Sequence, residues 1–434
     1  MKKILTVLTL ALMFTMTSAY AKPSVEYLRV GINFGADSVS EYILNSESGF
    51  IAGTDDDRVF TTGMEINATS IAVTISSDGI ISYGENVFDT NSGQRLTIMP
   101  KSGFITNGSG KKFRGGIQFL NSGSGRLTIV NYLTVDDYVK GVVPREMSAS
   151  WHIEALKAQA VCARNYVVSN CNKHKSAGFD VCTSVHCQVY GGMSSEYDSS
   201  NRAVDETKGQ FLMYNGSLAE TLFFSSSGGH TGNAKYVWGN PVPYLCGSEN
   251  EFENPNENSR YRWSFTKSLE EITQIMTSKG YTVGQVTSLS AKIDETTGQM
   301  YELTVHGTNS DKTFKNDATR GWIGGDLIKS QFYTITPITD QSDVYASSSA
   351  GMAKAESFAV IDKSGKVQTA SMPINAISAT ESVTYNSNVT GYRFDGRGWG
   401  HGLGLSQYGA KGMADQGYGY KDILYHFYPG TVLE

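Results

Sequence analysis

The sequence predicts a β-rich α+β fold of mixed architecture, in which a core carries one long amphipathic helix and a β-rich segment is inserted. Short runs of alternating apolar and polar residues fill residues 22–120, which is the pattern of half-buried strands. Apolar residues recur at three- and four-residue steps from Ile153 to Val168, as they do in an amphipathic helix. Glycine is abundant, at 46 of 434 residues, and charged residues make up only 18%, below the roughly 25% of an average soluble domain.

Length and composition exclude several classes of protein. Hydrophobic residues are 40% of the chain, enough to bury substantial cores, so a disordered protein or a small disulfide scaffold is excluded. The formal charge is −6 and no cluster of lysine and arginine is present. Because nucleic-acid binding needs such clusters, we expect no nucleic-acid partner.

The first 21 residues have the pattern of an export signal. Two lysines, an apolar run and a small-x-small cleavage site follow one another, at Lys2, Lys3, Ile4–Met16 and Ala19–Ala21. The apolar run is too short to cross a bilayer comfortably. We therefore predict a secreted or wall-associated protein outside the cytoplasmic membrane, with anchoring by an uncleaved N-terminal segment as the alternative.

The chain after the signal divides into four predicted parts. An N-terminal β-rich module occupies residues 22–120, the first part of the core 121–248, an inserted segment 249–384 and the second part of the core 385–434. In the first part of the core we expect a strand at Leu127–Leu133. Pro144 is expected to end any helix arriving from Val135–Val143, which leaves Arg145–Ser150 as a turn into the long helix.

The inserted segment begins with an Asn- and Glu-rich stretch and contains weaker signals. They predict a short helix near Ser268–Lys279, a hairpin around Asp294–Gly298 and a Ser/Ala-rich surface linker at Gln341–Ser357. In the second part of the core, Gln407–Ala414 and Lys421–Phe427 have the pattern of two short helices.

Glu146 is the leading candidate for a catalytic acid. It lies between the apolar residues Val143 and Met147, and apolar surroundings raise the pKa of a carboxyl group, which suits a general acid. The alternative is an exposed acid that favours the positive end of a helix dipole.

A second cluster, FFSSSGGHTGNAKYVWG, combines small hydroxyl residues with two glycines. Ser226, Ser227 and the adjacent backbone amides could approach a ligand closely. A serine hydrolase is disfavoured, because there is no G-x-S-x-G motif and no acid is evident as a partner for His230. A polar β-turn is the alternative interpretation.

A third cluster, GRGWGHGLGLSQYGAKGMA, places glycines around Arg397, Trp399 and His401. Aromatic and hydrogen-bonding side chains on open backbone suit the binding of sugar rings. The spacing fits no phosphate-binding loop. The alternative is a glycine-rich strand crossing in which His401 is structural.

Two thiols and two imidazoles lie within a short stretch, HKSAGFDVCTSVHC. Such a set is able to form a tetrahedral zinc site, although ligation by two adjacent residues is expected to strain it. The alternatives are a Cys182–Cys187 disulfide and no special role. The candidate ligands are His174, Cys182, His186 and Cys187.

Taken together, the three clusters resemble the stage II sporulation protein D family, whose relatives include modifiers of cell-wall amidases. The motifs that carry the resemblance are DDYVKGVVPREMSASWHIEALKAQAV, SSSGGHTGNAKYVWG and GRGWGHGLGLSQYGAKGMA, in that order. The likeness covers Leu127–Leu245 and the region from Arg320 to the C-terminus.

The resemblance implies a peptidoglycan lytic transglycosylase, active in sporulation or cell-wall remodelling, with Glu146 as the catalytic residue. Such enzymes cut between N-acetylmuramic acid (MurNAc) and N-acetylglucosamine (GlcNAc) and leave 1,6-anhydro ends. One carboxyl group is enough for this, since the C6 hydroxyl of the sugar is the nucleophile. Substrate-positioning roles are expected for Arg164, Ser226, Ser227, His401 and Gln407.

The resemblance also bears on cofactors and partners. Some relatives carry zinc in the region that matches His174–Cys187, so a structural zinc ion is expected and no organic cofactor is. The expected partners are glycan strands, stripped of stem peptides, and a cell-wall amidase. The rival hypothesis is a non-catalytic wall-binding protein that enhances an amidase.

Overall fold

The computed structural model describes residues 25–324, 327–339 and 389–434, together with six short strands between Tyr345 and Tyr385. The export signal predicted at residues 1–21 lies outside this description, and only two short strands of the Ser/Ala-rich stretch Gln341–Ser357 fall within it. Strands and helices are mixed, which confirms the β-rich α+β class. None of the described helices is long and apolar enough to cross a membrane.

The N-terminal region is built from strands, as its alternating pattern predicts. They are β1 Tyr27–Asn33, β2 Glu41–Asn45, β3 Phe50–Asp56, β4 Val59–Ile66, β5 Ser70–Ile75, β6 Ile80–Tyr83, β7 Asn86–Asp89, β8 Arg95–Pro100, β9 Ile105–Asn107, β10 Lys112–Phe113, β11 Gly116–Gly123 and β12 Arg126–Thr134. The predicted strand Leu127–Leu133 is part of β12. In β1 the side chains of Leu28 and Val30 are fully buried, because alternate residues of a strand share one face.

Helices and short strands follow. They are α1 Val135–Glu146, α2 Ile153–Ser169, β13 Val181–Cys182, α3 Asp198–Glu206, β14 Leu212–Tyr214, β15 Ser217–Leu218, β16 Phe223–Phe224 and α4 Ala234–Trp238. One sheet has the order β13-β1-β12-β11-β8-β3-β4 and a second the order β10-β9-β2-β5-β6-β7. Both sheets and the helices contribute to one continuous apolar core.

The inserted region has a core of its own. Its elements are β17 Arg262–Ser268, α5 Leu269–Ser278, β18 Val286–Ile293, β19 Met300–Gly307, β20 Lys312–Lys315, α6 Ala318–Gly321, β21 Tyr333–Thr339, β22 Tyr345–Ser348, β23 Gly351–Lys354, β24 Ala359–Ile361, β25 Val367–Thr369, β26 Ile374–Ile377, β27 Ser382–Tyr385 and β28 Val389–Arg397. The predicted helix and hairpin correspond to α5 and to β18–β19. Strand β28 lies between β17 and β21. Residues 389–397 therefore pack with the insert, although they lie within residues 385–434, the predicted second part of the core.

The C-terminal region returns to the first core. Its elements are β29 Leu405–Ser406, α7 Gln407–Asp415, α8 Tyr420–Phe427 and β30 Val432–Leu433, which include the two predicted helices. Strand β29 pairs with β16 and β30 pairs with β14. These pairings bring the second and third sequence clusters side by side.

The long helix α2 is surrounded on most sides. The sequence predicts a polar face, yet Gln159, Arg164 and Asn165 are all buried. The reason is that α1, α3, α7 and α8 all pack against α2. The amphipathic pattern predicts that these polar side chains face solvent, but they face other parts of the protein.

Pro144 lies inside α1, contrary to the expectation that it ends the helix at Val143. Proline lacks a backbone N–H donor and its ring crowds the preceding turn, yet the amide of Met147 still donates to the carbonyl of Val143 at 2.9 Å. Glu146 is consequently held by the last turn of a helix.

The carboxylate of Glu253 joins three distant stretches of chain. Glu253 is 4% exposed and lies in the Asn- and Glu-rich stretch at the start of the insert. Its two oxygens accept hydrogen bonds at 2.6–3.3 Å from Ser226 Oγ, Ser227 N and Oγ, Gly228 N, Asn250 Nδ2, Asn258 Nδ2 and Ser406 Oγ. One acid therefore fixes the Ser/Gly-rich cluster, the start of the insert and the end of the glycine-rich segment.

We predict that Glu253→Gln lowers the free energy of unfolding by about 3 kcal/mol, because an amide NH₂ replaces an acceptor and leaves buried donors without a partner. The measurement is the shift in the urea midpoint at neutral pH. Glu251→Gln, at an exposed neighbour, is the control and should change stability by less than about 0.5 kcal/mol. Equal midpoints for the two variants would contradict the structural role of Glu253.

Candidate active site

Glu146 lies in a cavity of about 350 Å³ at the end of α1. Three stretches of chain form its wall: the end of α1 with α2, the loop after β13, and the region of β16 with the glycine-rich segment. The lining residues are Glu146, Tyr166, Val185, Cys187, Gln188, Val189, Leu222, Phe223 and His401. Of these described residues Glu146 is the only acid.

Burial raises the pKa of Glu146 above its ordinary value, because a desolvated carboxylate is unfavourable. Hydrogen bonds from the Val189 amide, at 3.4 Å, and from the Gln407 side chain oppose this shift, as does the charge of Arg145. The carboxyl group thus retains its proton to higher pH than an exposed glutamate does. When it ionises, the Val189 amide and the Gln407 side chain can donate hydrogen bonds to it.

His401 comes from the glycine-rich segment and shares the cavity with Glu146. The Leu403 amide donates to its Nδ1 at 3.1 Å, so Nδ1 is an acceptor and Nε2 carries the hydrogen that meets the Phe223 carbonyl at 3.0 Å. Burial lowers the pKa of His401 to about 4. The ring is therefore neutral at physiological pH and its two nitrogens are occupied by backbone, which leaves ring carbons to contact a ligand.

The glycine-rich segment requires glycine where it passes the Ser/Gly-rich cluster. Gly228 and Gly398 both have positive φ, at 64° and 75°. A β-carbon on Gly228 would lie 2.5 Å from the Gly398 nitrogen, and one on Gly398 would lie 2.6 Å from the Ser226 carbonyl. Side chains at these positions would push the two segments apart and open the wall that holds His401.

Gln407 begins α7 directly after Ser406, which caps that helix. Its side chain reaches Glu146 and also donates to Gln159 at 3.4 Å. Because Ser406 is bound by Glu253, the position of Gln407 depends on the buried acid network.

Of the five predicted substrate residues only His401 lines the cavity. Gln407 lies outside the lining and reaches Glu146, whereas the other three do not contact it. Arg164 is 1% exposed and pairs with Asp136 at 2.8 Å, so its guanidinium is held inside the helical layer. Ser226 and Ser227 are equally buried, and their hydroxyls donate to Glu253 at 2.6 and 2.7 Å. Their placement supports a structural role, since their donors are already used.

Two polar residues at the cavity wall were not predicted. Tyr166 follows Arg164 on α2 and faces the cavity. Gln188 is 2% exposed, and its Oε1 has no partner among the described residues. A buried amide oxygen with a free lone pair is a potential acceptor for a ligand donor. Only the position of Gln188 just after the predicted metal ligands could have signalled it.

The four predicted metal ligands come together beside this cavity. Their donor atoms all lie within 4.8 Å of one another. The two imidazole nitrogens are 3.2 Å apart, and three sulfur–nitrogen separations are 3.5, 3.8 and 3.8 Å. Tetrahedral zinc, with bonds of about 2.0–2.1 Å to nitrogen and 2.3 Å to sulfur, separates its ligands by about 3.3–3.8 Å. Four of the six separations within the set of His174, Cys182, His186 and Cys187 are close to that range, and the other two are at most 4.8 Å.

The two adjacent candidate ligands lie in a turn. A turn in which the Cys187 amide donates to the Ser184 carbonyl at 3.0 Å lets His186 and Cys187 face the same point. Cys182 is fixed by β13, which pairs with β1. The described cysteines are all free of disulfides.

Comparison with known proteins identifies the relatives of this chain. Residues 123–214, which include Glu146 and the four clustered ligands, match the family model described as stage II sporulation protein. The chain is 32% identical over 306 residues to the amidase enhancer of Bacillus subtilis, an alignment that covers 68% of this chain and 40% of that relative. The chain thus spans well under two thirds of the amidase enhancer.

Two other relatives are covered more fully. Stage II sporulation protein D of Bacillus subtilis is 27% identical over 323 residues, with 70% of this chain and 75% of the relative aligned. An uncharacterized protein of Brachyspira hyodysenteriae is 29% identical over 340 residues, covering 77% and 75%. These matches confirm the resemblance drawn from the three motifs: residues 123–214 match the stage II sporulation family model, and most of the chain is similar to stage II sporulation protein D.

Proposed function

We propose that this protein is an exported peptidoglycan lytic transglycosylase that cleaves the MurNAc–GlcNAc bond of peptide-stripped glycan strands. A role in sporulation or another cell-wall process follows from its family. The single observation that carries the enzymatic proposal is the position of Glu146, a carboxyl group of raised pKa that is the only acid among the described residues lining its cavity.

The number of acids favours this reaction over ordinary hydrolysis. Glycosidases of the usual kind place two carboxyl groups about 5–9.5 Å apart on either side of the scissile bond. A lytic transglycosylase needs one, because the C6 hydroxyl of the muramic acid residue attacks its own anomeric carbon.

In the proposed mechanism Glu146 acts first as an acid and then as a base. Its proton passes to the glycosidic oxygen as the bond from that oxygen to the anomeric carbon breaks. The resulting carboxylate takes the proton of the C6 hydroxyl as that oxygen bonds to the anomeric carbon, which forms the 1,6-anhydro ring and restores the acid. The Val189 amide and the Gln407 side chain stabilise the carboxylate between the two steps.

The rest of the cavity suits a sugar. Tyr166 and Phe223 present aromatic rings, against which the C–H faces of a pyranose pack. Gln188 offers a buried acceptor, and the His401 ring closes one side. Apolar walls also exclude water, which favours attack by the internal hydroxyl over hydrolysis.

We also propose that His174, Cys182, His186 and Cys187 hold a structural zinc ion. Four protein ligands leave no open position for substrate, so the ion would act as a staple. The loop that it would hold supplies Val185 and Cys187 to the cavity wall and, two residues further on, the amide of Val189 to Glu146. The geometry of the acid would therefore depend on a loop fixed by metal.

A second candidate function is enhancement of a cell-wall amidase without catalysis. It is favoured by the name of the Bacillus subtilis relative, although this chain spans only 40% of that protein. An amidase is a suitable partner for either function, because amidases remove the stem peptides from the strands that the transglycosylase would cut.

We predict that Glu146→Gln reduces the release of anhydromuramic ends from peptide-free glycan strands by about 10²–10⁴-fold, the usual range for a general acid–base residue. The products are measured by mass spectrometry, with Glu251→Gln as the control. Products of the parent that are heavier by one water would indicate hydrolysis. An uncut strand, with amidase stimulation equal in parent and variant, would favour the enhancer.

The raised pKa of Glu146 also predicts how activity and stability depend on pH. Activity should fall as pH rises through that pKa, because the acid loses its proton. The folded state binds more protons than the unfolded state between the two pKa values of this group, so its contribution to stability falls as pH rises through that interval. Glu146→Gln should therefore be at least as stable as the parent at neutral pH, and a clear loss of stability would contradict the burial of an acid at this position.

We predict about one zinc ion per chain by elemental analysis, and its loss in the Cys182→Ser, Cys187→Ser double variant with a fall in unfolding free energy of about 2 kcal/mol or more. Cys246→Ser is the matched control, because Cys246 is exposed and outside the cluster. It should retain the metal. Absence of zinc from the parent protein would refute the site.

A further inference from the structure

A second, larger cavity lies on the three-stranded sheet of the insert, away from Glu146. Its volume is about 730 Å³, and the sheet has the order β17-β28-β21. Alternate residues of these strands share the face that lines the cavity. We call this surface the arginine groove, defined by Arg262, Ser264, Thr334, Arg393, Asp395 and Arg397.

Two arginines stand directly opposite each other in this groove. The register pairs Arg262 with Arg397, and opposite residues of antiparallel strands point to the same face. Like charges in this relation destabilise a sheet. Within the described residues neither guanidinium has a carboxylate at ion-pair distance, and the proximity of Arg262 contributes to a lowered pKa of Arg397, behind the effect of burial.

The remaining charges of the groove do not neutralise this pair. Both carboxylate oxygens of Asp395 accept hydrogen bonds from the Arg393 guanidinium on the same strand, at 2.9–3.0 Å. That carboxylate is therefore already matched by a cation. The groove keeps an excess of two positive charges, with the hydroxyls of Ser264 and Thr334 opposite Asp395 in register.

Arg397 is held in place by its surroundings. Its Nη2 donates to the Thr297 carbonyl at 3.1 Å, and its guanidinium lies 5.3 Å from the centre of the Phe332 ring. A guanidinium fixed on an aromatic face loses little freedom when it binds a ligand. Arg262, by contrast, is exposed and donates to no protein acceptor within the described residues, so it is available to an incoming anion.

We propose that the arginine groove binds an anionic group, a carboxylate or a phosphate, carried by a cell-wall polymer. An anion between Arg262 and Arg397 would accept hydrogen bonds from both and offset their repulsion. The hydroxyls of Ser264 and Thr334 would bind neighbouring oxygens. Only the choice of a wall polymer rests on the proposed function, and the preference for an anion does not require cleavage.

The arginine groove and the cavity of Glu146 are each lined by a residue of the same short segment, Arg397 and His401. Arg397 and His401 are four residues apart, so their Cα atoms are separated by at most about 14 Å. A strand anchored by its charge in the groove would lie within a few sugar units of the carboxyl group.

The test measures binding by the full chain carrying Glu146→Gln, so that no strand is cut. Three probes are compared: peptide-free glycan strands, the same strands with their carboxyl groups reduced to alcohols, and poly(glycerol phosphate). With Arg262→Gln added we expect about tenfold weaker binding of the anionic ligand, the loss expected for a charged hydrogen-bonded contact. Arg262→Lys keeps the charge without the fork geometry and should bind with intermediate affinity.

The matched control is Lys315→Gln, which removes one exposed positive charge of the insert outside the groove. It should bind as the parent does. A difference between parent and Arg262→Gln on intact strands that vanishes on reduced strands identifies the carboxylate as ligand, and a difference on poly(glycerol phosphate) alone identifies phosphate. Equal binding of all probes by parent and Arg262→Gln would overturn the proposal. Failure of the parent to cleave glycan would overturn the proposed activity and leave this result unaffected.

Discussion

The buried carboxylate of Glu253 is the contact on which the arrangement of the site depends. A charged group without water is unfavourable unless it is fully hydrogen-bonded, and here its donors come from segments as far apart as Ser226 and Ser406. The network can form only when the Ser/Gly-rich cluster, the start of the insert and the glycine-rich segment meet. Their meeting sets where His401 and Gln407 lie, and both of these border Glu146.

The environment of Glu146 is thus formed by segments that are far apart in the sequence. Helix α1 fixes its backbone, the loop after β13 supplies a backbone donor through Val189, and α7 supplies a side-chain donor through Gln407. Each part has its own stabilising feature: a continued helix after Pro144, the cluster of His174, Cys182, His186 and Cys187, and the Glu253 network. A change in any of them would alter the pKa of one carboxyl group.

The sequence predicted what is local or periodic and missed what depends on distant partners. The strands, helix α2, the two C-terminal helices and the ligand cluster follow from spacing, and Glu146 follows from its apolar neighbours. Arg164 lies off the apolar stripe of α2, but α1, α3, α7 and α8 all pack against this helix. The hydroxyls of Ser226 and Ser227 have no evident partner in the sequence, because Glu253, which accepts their hydrogen bonds, lies 26–27 residues away. No spacing rule reveals a carboxylate that is satisfied only after folding.

The separation of the arginine groove from the cavity has a physical reason if both act on one polymer. Arg145 already opposes the rise in the pKa of Glu146, and a further guanidinium beside this carboxyl group would lower the pKa that a general acid needs. An anion bound beside Glu146 without a cation would be repelled by the carboxylate that forms after proton transfer. Placing Arg262 and Arg397 on a neighbouring sheet allows the protein to hold a charged strand while the acid stays in an uncharged, largely apolar wall. The short glycine-rich connection between Arg397 and His401 keeps the two environments distinct and within reach of the same ligand.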